Sequence, residues 1–240
     1  MNKSIDIVLP VYNESKNLEK RFIILYEYMI KHFRSDWVIT IAENGSNDNT
    51  LQIAKVLQGK YKNCRVISNS EAGKGLALKN AWLTSNADIF GYMDSDLSTD
   101  IEILPQFIKK ISEENYDFVI ASRLIKGSKV IGRSLKREII SRAYNLIVTI
   151  MFGRACGDLQ CGFKAFRRST VQKLLPLVKD NGFFFDTEII LTARRMRYRI
   201  IDLPVRWVED PDSRVNLLPT ILADLAGLIR VRWGFLTDKM

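Results

Sequence analysis

Two aspartates separated by one residue stand directly after a predicted buried strand. Residues 88–93 are mostly apolar or aromatic, and Asp94-Ser95-Asp96 follows them. Side chains two residues apart share a face of an extended chain, and in a tight turn they can converge. Their carboxylate oxygens suit Mg²⁺ or Mn²⁺, which keep coordination positions open for phosphate oxygens. By itself, the tripeptide is better explained by two solvated aspartates that cap a helix expected near Asp100.

The segments that lead to these aspartates alternate between strand and helix patterns. Apolar, β-branched runs at residues 5–9 and 37–42 predict strands, and apolar residues at helical spacing across residues 17–32 predict a helix. Such alternation favours parallel strands joined by right-handed crossovers. The chain has 240 residues, 47% of them hydrophobic, and no linker rich in Pro, Gly or Ser. We therefore expect a single α/β domain.

Three polar clusters follow predicted strands directly. They occupy residues 10–14, 43–46 and 94–96. Ligands of open parallel sheets bind outside the carboxyl ends of the strands, so the three clusters are expected at one edge of the sheet. The sequence therefore predicts a nucleotide site at that edge.

The second half of the chain has a less regular pattern. A strand is predicted at residues 117–121, followed by a loop rich in lysine and glycine at residues 126–136. Residues 199–208 are expected to form one strand with its proline at an edge or bulge. A final helix is predicted at residues 217–233.

The chain is basic, with 36 Lys and Arg against 27 Asp and Glu and a formal net charge of +9. Such a charge attracts phosphate-bearing partners, whether nucleic acid, anionic lipid or nucleotide, but many basic proteins have no polyanionic partner. The charge alone leaves these classes open. The three cysteines have no zinc-binding spacing, and this favours a reduced, intracellular compartment.

Four motifs occur in order in the first hundred residues: Leu9-Pro10-Val11-Tyr12-Asn13-Glu14, Glu43-Asn44-Gly45-Ser46 with Asp48 and Thr50, Gly73-Lys74-Gly75, and Asp94-Ser95-Asp96-Leu97. Together they closely resemble the inverting family 2 of glycosyltransferases. The resemblance implies a GT-A (Rossmann-like) fold, with a mixed but mainly parallel sheet flanked by helices. It also implies a metal-dependent enzyme, with Mg²⁺ or Mn²⁺, that uses a nucleotide-sugar donor.

A later set of motifs narrows the resemblance. It comprises Gly157-Asp158-Leu159-Gln160-Cys161-Gly162-Phe163-Lys164-Ala165-Phe166-Arg167-Arg168, Phe185-Asp186-Thr187-Glu188 and Leu203-Pro204-Val205. This set looks like the dolichyl-phosphate mannosyltransferase branch, whose acceptor is a polyprenyl phosphate. The resemblance therefore implies transfer, with inversion, from GDP-mannose or a UDP-hexose to a dolichyl or undecaprenyl phosphate.

The resemblance assigns donor-binding roles to residues of the first half. The residues implied are Pro10, Tyr12 and Glu14 for the base and ribose, Lys74 and Ser95 within the donor motifs, and Asp94 and Asp96 for the metal and diphosphate. Glu43 stands where the family usually has the first aspartate of Asp-Asp-Gly-Ser. This departure leaves the base and the sugar of the donor open.

Acceptor-side roles fall in the second half. Arg123 matches a family arginine that helps to bind phosphate, and Asp158 and Gln160 match the acceptor-side Asp-x-Gln/Thr pattern. Ser213-Arg214 resembles a family segment that meets the acceptor phosphate. The catalytic residues implied by the resemblance are Asp96, Asp158, Arg123 and Arg214.

A phosphate and a sugar hydroxyl make different demands as acceptors. A phosphate monoester is already anionic near pH 7 and needs no strong base. The hydroxyl of a saccharide or lipid-linked oligosaccharide must give its proton to a carboxylate, for which Asp158, Asp186 and Glu188 are the candidates.

The sequence argues against two functions outside this family of reactions. A non-catalytic membrane-surface module could keep the same fold, but retention of both Asp94 and Asp96 argues against it. A sugar nucleotidyltransferase would carry a glycine-rich loop after the first strand, and that loop is missing.

Two apolar helical segments with basic flanks favour contact with an anionic membrane surface. Residues 139–152 follow a loop that contains Lys126, Lys129, Arg133, Lys136 and Arg137, and residues 216–240 are expected to form an amphipathic helix after a catalytic domain of residues 1–215. A core helix beneath a solvated basic loop would give the same pattern.

The N-terminus lacks a signal-peptide core, and no run reaches the ~18 apolar residues of a spanning helix. We expect a peripheral protein at the cytoplasmic face, without a nucleic-acid partner. A separate membrane-anchoring subunit is left open.

Overall fold

The computed structural model of the chain describes residues 3–153, 157–210 and 217–237. Within these ranges the strands are β1 (Ile5–Val11), β2 (Trp37–Asn44), β3 (Cys64–Asn69), β4 (Ile89–Met93), β5 (Phe118–Ser122), β6 (Lys129–Ile131), β7 (Phe163–Arg167), β8 (Ile200–Pro204) and β9 (Arg206–Val208). The α-helices are α1 (Leu18–His32), α2 (Thr50–Lys60), α3 (Lys74–Leu83), α4 (Leu104–Ser112), α5 (Leu135–Phe152), α6 (Arg168–Leu174), α7 (Phe185–Arg195) and α8 (Leu217–Thr237).

Seven of these strands form one sheet, in the order β3-β2-β1-β4-β7-β5-β8. All neighbours pair in parallel except β7, which runs antiparallel to both β4 and β5. The expected α/β domain with a mixed, mainly parallel sheet is therefore confirmed. Because Met93 pairs with Phe163, the start of β7 lies at the carboxyl end of β4. The antiparallel strand thus brings the loop before it, residues 157–162, to Asp94.

Strand β1 illustrates how the sheet separates two apolar layers. Ile7 belongs to a buried cluster with Phe22 of α1 and Phe107 of α4, whereas its neighbour Val8 belongs to a second cluster that includes Trp82 of α3. Burial on both faces is typical of a parallel strand that helices cover on two sides. The strand ends that carry the polar clusters are therefore held by packed layers above and below.

Two short strands differ from the predicted pattern. The single strand expected at residues 199–208 divides into β8, which joins the large sheet, and β9, which pairs in parallel with β6. β6 lies inside the stretch predicted to be a loop. Three residues that alternate between exposed and half-buried give too weak a local signal, and the pairing is fixed by contacts such as the Lys129 amide donating to the Val205 carbonyl at 2.9 Å.

A buried carboxylate near the start of β1 joins three elements. Asp6 is fully buried and accepts hydrogen bonds from Thr40 Oγ1 at 2.7 Å and from Arg65 Nη2 at 2.9 Å. Arg65 also donates through Nε to Thr40 at 3.0 Å and through Nη2 to the carbonyl of Ala81 at 2.9 Å. The arginine therefore connects β1, β2, β3 and α3 on the side of the sheet opposite to the polar edge.

We expect Arg65→Met to lower the free energy of unfolding by about 3–5 kcal/mol, because the variant leaves the Asp6 carboxylate buried without its cation. Urea unfolding at pH 7 measures the change. The double variant Asp6→Asn with Arg65→Met removes the stranded charge and should recover part of the loss. Equal stability of Arg65→Met and the wild type would show that the ion pair has no net effect.

Candidate active site

The aspartates after β4 lie in different surroundings. The Asp94 side chain is 46% exposed, and its amide donates to the Gly162 carbonyl at 2.9 Å. Asp96 accepts a hydrogen bond from the Ser98 amide at 2.8 Å, and burial, reinforced by the charge of Asp94, raises the pKa of its carboxyl. Leu97 adopts a left-handed backbone with φ of 53°, so the chain turns sharply directly after the pair.

Gly162 leaves room for the Asp94 carboxylate. A Cβ at position 162 would lie 1.8 Å from Asp94 Oδ2, which is far inside van der Waals contact. The backbone before β7 therefore passes directly against the carboxylate. Only glycine fits at this position, and this explains why residue 162, directly before β7, is a glycine.

Alternating lysines and aspartates extend from Asp94 into the core. Lys74 at the start of α3 donates to Asp94 Oδ1 at 2.8 Å and to Asp186 Oδ2 at 2.9 Å. Lys164 of β7 donates to the other oxygen of Asp186 at 2.9 Å and to the Tyr92 hydroxyl at 2.9 Å. We call Asp94, Lys74, Asp186 and Lys164 the charge row.

Lys164 was not among the site residues predicted from the sequence. It is fully buried, and burial, reinforced by the charge of Lys74, lowers the pKa of its ammonium to about 7. The available signal was a lysine within the short apolar strand Phe163–Arg167, where a buried charge has to be paired.

A second ion pair lies at the end of β5. Arg123 donates through Nε to Asp158 Oδ2 at 2.6 Å and through Nη2 to Oδ1 at 2.9 Å, and its amide also donates to Oδ2 at 3.1 Å. Asp158 is buried. Despite that burial, Arg123 holds the pKa of the Asp158 carboxyl below its usual range. The Trp207 ring lies 5.5 Å from the guanidinium carbon. Since Asp158 occupies the Nε side, Nη1 is directed away from it.

The other two candidate bases are also paired with cations. Asp186 lies in the charge row between two lysines. Glu188 is buried and accepts from Arg230 at 2.7 and 3.0 Å, as well as from the Asp180 amide at 2.8 Å.

The residues predicted to bind the base and ribose lie around the ends of β1 and β2. Pro10 was expected after the first strand but lies within β1, which continues to Val11. Tyr12 is 45% exposed beside the carboxyl edge. Glu14 forms an ion pair with Arg21 at 2.8 Å, and Arg21 also contacts Asp210 at 2.5 Å. Arg21 was missed because it belongs to no motif and because its partner Asp210 is 189 positions away in the sequence.

Glu43 lies within β2 rather than on the loop that was expected to follow the strand. It is 2% exposed and accepts from the Ser46 amide at 2.5 Å and from the Ser68 hydroxyl at 2.7 Å. Ser46 in turn accepts from the Asn13 amide at 2.9 Å. Glu43 therefore holds the loop after β2 directly and, through Ser46, the loop after β1. Both loops border the predicted base site.

Gln160, two residues after Asp158, contacts the last helix. Its Nε2 donates to Asp224 Oδ2 of α8 at 2.5 Å. Ser213 and Arg214, the other predicted acceptor residues, lie outside the described residues.

Helices α5 and α8 expose rows of large apolar side chains. The rows are Leu135, Ile139, Leu146 and Ile150 on α5, and Leu222, Ile229, Trp233 and Leu236 on α8, each between 60% and 81% exposed. We call these eight side chains the apolar face. Phe152 and Phe235 pack edge to face between the two helices at 5.7 Å. No helix in the described ranges has the length and apolar composition needed to cross a bilayer.

The basic loop before α5 divides into two kinds of residue. Lys126, Lys129 and Lys136 are exposed. Arg133 is largely buried and pairs with Glu138 at 3.1 Å, and Arg137 pairs with Glu209. The sequence predicted a membrane-facing role for all five cations of this loop. Of these five, only the three lysines are exposed.

Comparison with known proteins identifies similar sequences. The family model described as glycosyl transferase family 2 matches residues 6–175. Glycosyltransferase AglD of Haloferax volcanii is 33% identical over 95% of this chain and 37% of its own length. Dolichyl-phosphate beta-glucosyltransferase of Saccharomyces cerevisiae is 29% identical over 97% of this chain and 75% of its own length. The chain thus spans about a third of the first relative and three quarters of the second.

Solved structures of similar shape include glucosyl-3-phosphoglycerate synthase of Mycobacterium tuberculosis. It aligns with a TM-score of 0.72 at 17% identity over 97% of this chain and 81% of that chain. Its complex with Mn²⁺, uridine diphosphate and glucosyl-3-phosphoglycerate aligns with a TM-score of 0.68 at 18% identity, over 95% and 78% of the two chains. At this level of identity the likeness establishes the fold.

The Arg123–Asp158 pair predicts a pH-dependent loss of stability in Arg123→Met. The lowered pKa of Asp158 means that its ionised form stabilises the wild-type fold above about pH 4, the range of an unfolded aspartate, and that this stabilisation is lost as the pH falls further. In the variant the unpaired carboxyl is buried, so its ionisation opposes folding. We expect a loss of about 3–5 kcal/mol at pH 7 and a clearly smaller loss below pH 4.

Urea unfolding of the wild type and Arg123→Met at both pH values measures this difference. Arg123→Lys, which keeps the charge but not the paired hydrogen bonds, should fall between them. A loss that is the same at both pH values would contradict the assignment of the stabilisation to the ionised carboxylate.

Proposed function

Since the chain belongs to glycosyl transferase family 2, we propose that it transfers a hexose from a nucleotide sugar to a polyprenyl phosphate. The family predicted from the ordered motifs is confirmed by the match over residues 6–175. The chain is a glycosyltransferase of the GT-A fold. The acceptor, the sugar and the roles of individual residues form the proposal.

One observation carries the choice of acceptor: each candidate general base is already paired with a cation. Asp158 is bound by Arg123, Asp186 by Lys74 and Lys164, and Glu188 by Arg230. Arg123 lowers the pKa of Asp158, so this carboxylate is a weak proton acceptor. The oxygens of the other two carboxylates are occupied by their lysine and arginine partners. A phosphate monoester is its own anionic nucleophile, so these pairings do not hinder its attack. Two relatives named as dolichyl-phosphate beta-glucosyltransferases support the same acceptor class.

The donor we propose is a uridine diphosphate hexose, with glucose as the first candidate. The names of the two dolichyl-phosphate relatives specify glucosyl transfer, and the similar solved structures include complexes with uridine diphosphate or UDP-glucose. Pro10, Tyr12 and Glu14 would line the base and ribose. Glu43, which is buried, would act by fixing the loop at Ser46.

Asp94 and Asp96 would hold a divalent cation, Mg²⁺ or Mn²⁺. Hard carboxylate oxygens suit both ions, and the absence of a side chain at Gly162 leaves room for the Asp94 carboxylate. Among the described residues, no group of three or more His, Cys, Asp or Glu is gathered to form a closed metal cage. This donor set therefore fits an ion whose remaining ligands come from the donor diphosphate. Such an ion would supply positive charge to the leaving diphosphate.

The protein's own residues would act on both ends of the transfer. Lys74 lies beside Asp94, where its ammonium would neutralise the departing diphosphate, with Ser95 in the same turn. Arg123 would direct Nη1 at the acceptor phosphate, together with Gln160, Ser213 and Arg214. An acceptor oxygen then forms a bond to the anomeric carbon as the bond to the diphosphate breaks on the opposite face. The configuration is inverted.

We place the enzyme at the cytoplasmic membrane face as a peripheral protein. The apolar face and the exposed lysines Lys126, Lys129 and Lys136 combine the two features that bind anionic lipid surfaces. Residues 1–215 would form the catalytic domain, and residues 216–240 would carry the membrane-associated helix. A polyprenyl acceptor would meet the site from this surface, with or without a separate anchoring subunit.

A donor panel tests the proposed function. Purified protein is incubated with UDP-glucose, other UDP-hexoses or GDP-mannose, with Mn²⁺ or Mg²⁺, and with or without a short polyprenyl phosphate. Release of nucleoside diphosphate that requires the lipid phosphate, together with a glycosylated lipid product, supports the proposal. Transfer only to a saccharide would overturn it.

Asp96→Asn is expected to lower turnover about 100-fold or more and to weaken metal-dependent nucleotide binding, because it removes one of two anionic metal ligands. Steady-state kinetics and nucleotide titration with Mn²⁺ measure both effects. Asp100→Asn, in the same loop but without a proposed ligand role, is the matched control. Near-normal turnover of Asp96→Asn at saturating metal and donor would contradict the proposal that Asp96 binds the metal.

Ile150→Glu and Leu222→Glu should each weaken binding to anionic vesicles about tenfold or more, because each puts a charge into the apolar face. Val56→Glu on α2, which is 65% exposed in the wild type, is the control for an exposed apolar residue elsewhere. Co-sedimentation with vesicles at increasing salt measures the binding, and rising salt should weaken it in the wild type. Equal binding of all three variants would exclude the apolar face.

A further inference from the structure

Gln160 of the proposed acceptor loop is held by a residue of the C-terminal helix. Asp224 of α8 is 2% exposed, and its Oδ2 accepts the Gln160 amide at 2.5 Å. The two residues are 64 positions apart in sequence. No motif of the sequence analysis included Asp224, and it has no part in the proposed chemistry.

Asp224 lies on the inner side of a helix that is apolar on its outer side. Leu222 and Ile229 belong to the apolar face, whereas Leu228 is fully buried. The helix lies tightly against α7: a Cβ at Gly227 would lie 2.4 Å from the ring of Phe184. The position of Asp224 is therefore fixed by the packing of Gly227 and Leu228 one turn further along α8.

A carboxyl is an unfavourable side chain for this position if packing is its only role. Its Oδ1 is buried and has no hydrogen-bond partner among the described residues. Burial, reinforced by the negative charges of Asp180 and Asp186, raises the pKa of Asp224 to about 7, against the opposing effect of the Gln160 hydrogen bond. Burial of a polar group without full pairing is costly, and an apolar side chain would avoid that cost.

The same loop is also contacted from α5, the other helix of the apolar face. Asn145 Nδ2 donates to the Gly157 carbonyl at 3.3 Å, and Asn145 Oδ1 is likewise buried without a partner in the described part of the chain. Both helices that expose the apolar face thus reach residues 157–162 through polar side chains.

We propose that Asp224 is a positioning residue that fixes the side-chain amide of Gln160 for the acceptor. The side-chain amide of Gln160 is planar, with two N–H donors on Nε2 and an acceptor oxygen, Oε1. A hydrogen bond from one N–H to Asp224 therefore fixes the directions of Oε1 and of the second N–H. The proposal rests on the proposed function only in the assignment of Gln160 to the acceptor. It makes α8 part of the acceptor site as well as part of the membrane-facing surface.

Asp224→Ala tests the proposal through the separation of acceptor from donor effects. We expect the KM for the acceptor to rise about tenfold, with little change in the Kd for uridine diphosphate and Mn²⁺. Asp224→Asn keeps a side-chain oxygen that can accept from Gln160 and should remain within about twofold of the wild type. The acceptor is whichever compound the wild type glycosylates in the donor panel, so failure of the polyprenyl assignment is scored separately there.

A mutant cycle distinguishes positioning from general support. If Asp224 acts through Gln160, the double variant Asp224→Ala with Gln160→Ala should have the acceptor KM of Gln160→Ala alone. Arg230→Met, which removes a different polar anchor of α8, should lower the melting temperature without selectively raising the acceptor KM. Asp224→Ser replaces Asp224→Ala should the latter not fold, because the shorter side chain also loses contact with Gln160.

Three results would overturn the proposal. The first is an unchanged acceptor KM in a folded Asp224→Ala or Asp224→Ser variant. The second is an effect in the double variant that equals the product of the two single effects. The third is a loss of acceptor affinity in Arg230→Met of the same size.

Discussion

The charge row is the constraint on which the rest of the candidate site depends. Lys74 lies between Asp94 and Asp186, and Asp186 lies between the two lysines. Burial of a lone charge costs several kcal/mol, so each member requires its neighbours. The row joins β4, α3, α7 and β7 at one edge of the sheet, and it leaves Asp94 as the only member with substantial exposure. The packing of the core therefore also determines the orientation of the proposed metal-binding motif.

The same pairing rule determines which chemistry the site can support. Arg123 lowers the pKa of Asp158 and makes this carboxylate a poor proton acceptor. Burial raises the pKa of Asp186, but both of its oxygens accept hydrogen bonds from lysines, and those of Glu188 are occupied by Arg230. The arginine of the Asp158 pair still has one guanidinium nitrogen directed away from its partner. A site with occupied carboxylates, and with one arginine nitrogen outside the ion pair, favours an acceptor that brings its own negative charge. The apolar face adds a surface from which a lipid bearing that charge can approach.

Local sequence patterns predicted the order of the first strands and helices and the end of β4, and with them the edge at which the site forms. The alternation of strands and helices, the turn after β4 and the family motifs each depend on residues that are close in sequence. Lys164 and Asp224 were missed because their partners lie on distant elements. Arg21 was missed because it belongs to no motif and its contact with Asp210 spans 189 positions. Glu43 was expected on a loop because Asn44-Gly45 is typical of a turn. Strand β2 nevertheless includes Glu43, because this residue pairs with both β1 and β3. The short pair β6–β9 similarly depends on tertiary contacts.

A comparison of matched acceptors tests the central claim most directly. The wild-type enzyme is given the donor that it prefers, together with a short polyprenyl phosphate, the polyprenol of the same chain length, or a saccharide. The lipid phosphate brings its own negative charge, whereas a hydroxyl needs a base, and each candidate base of the site is paired with a cation. We therefore expect a glycosyl phosphate product from the lipid phosphate and negligible transfer to the polyprenol or the saccharide. Transfer to either hydroxyl acceptor with a kcat/KM equal to or above that for the phosphate would contradict it.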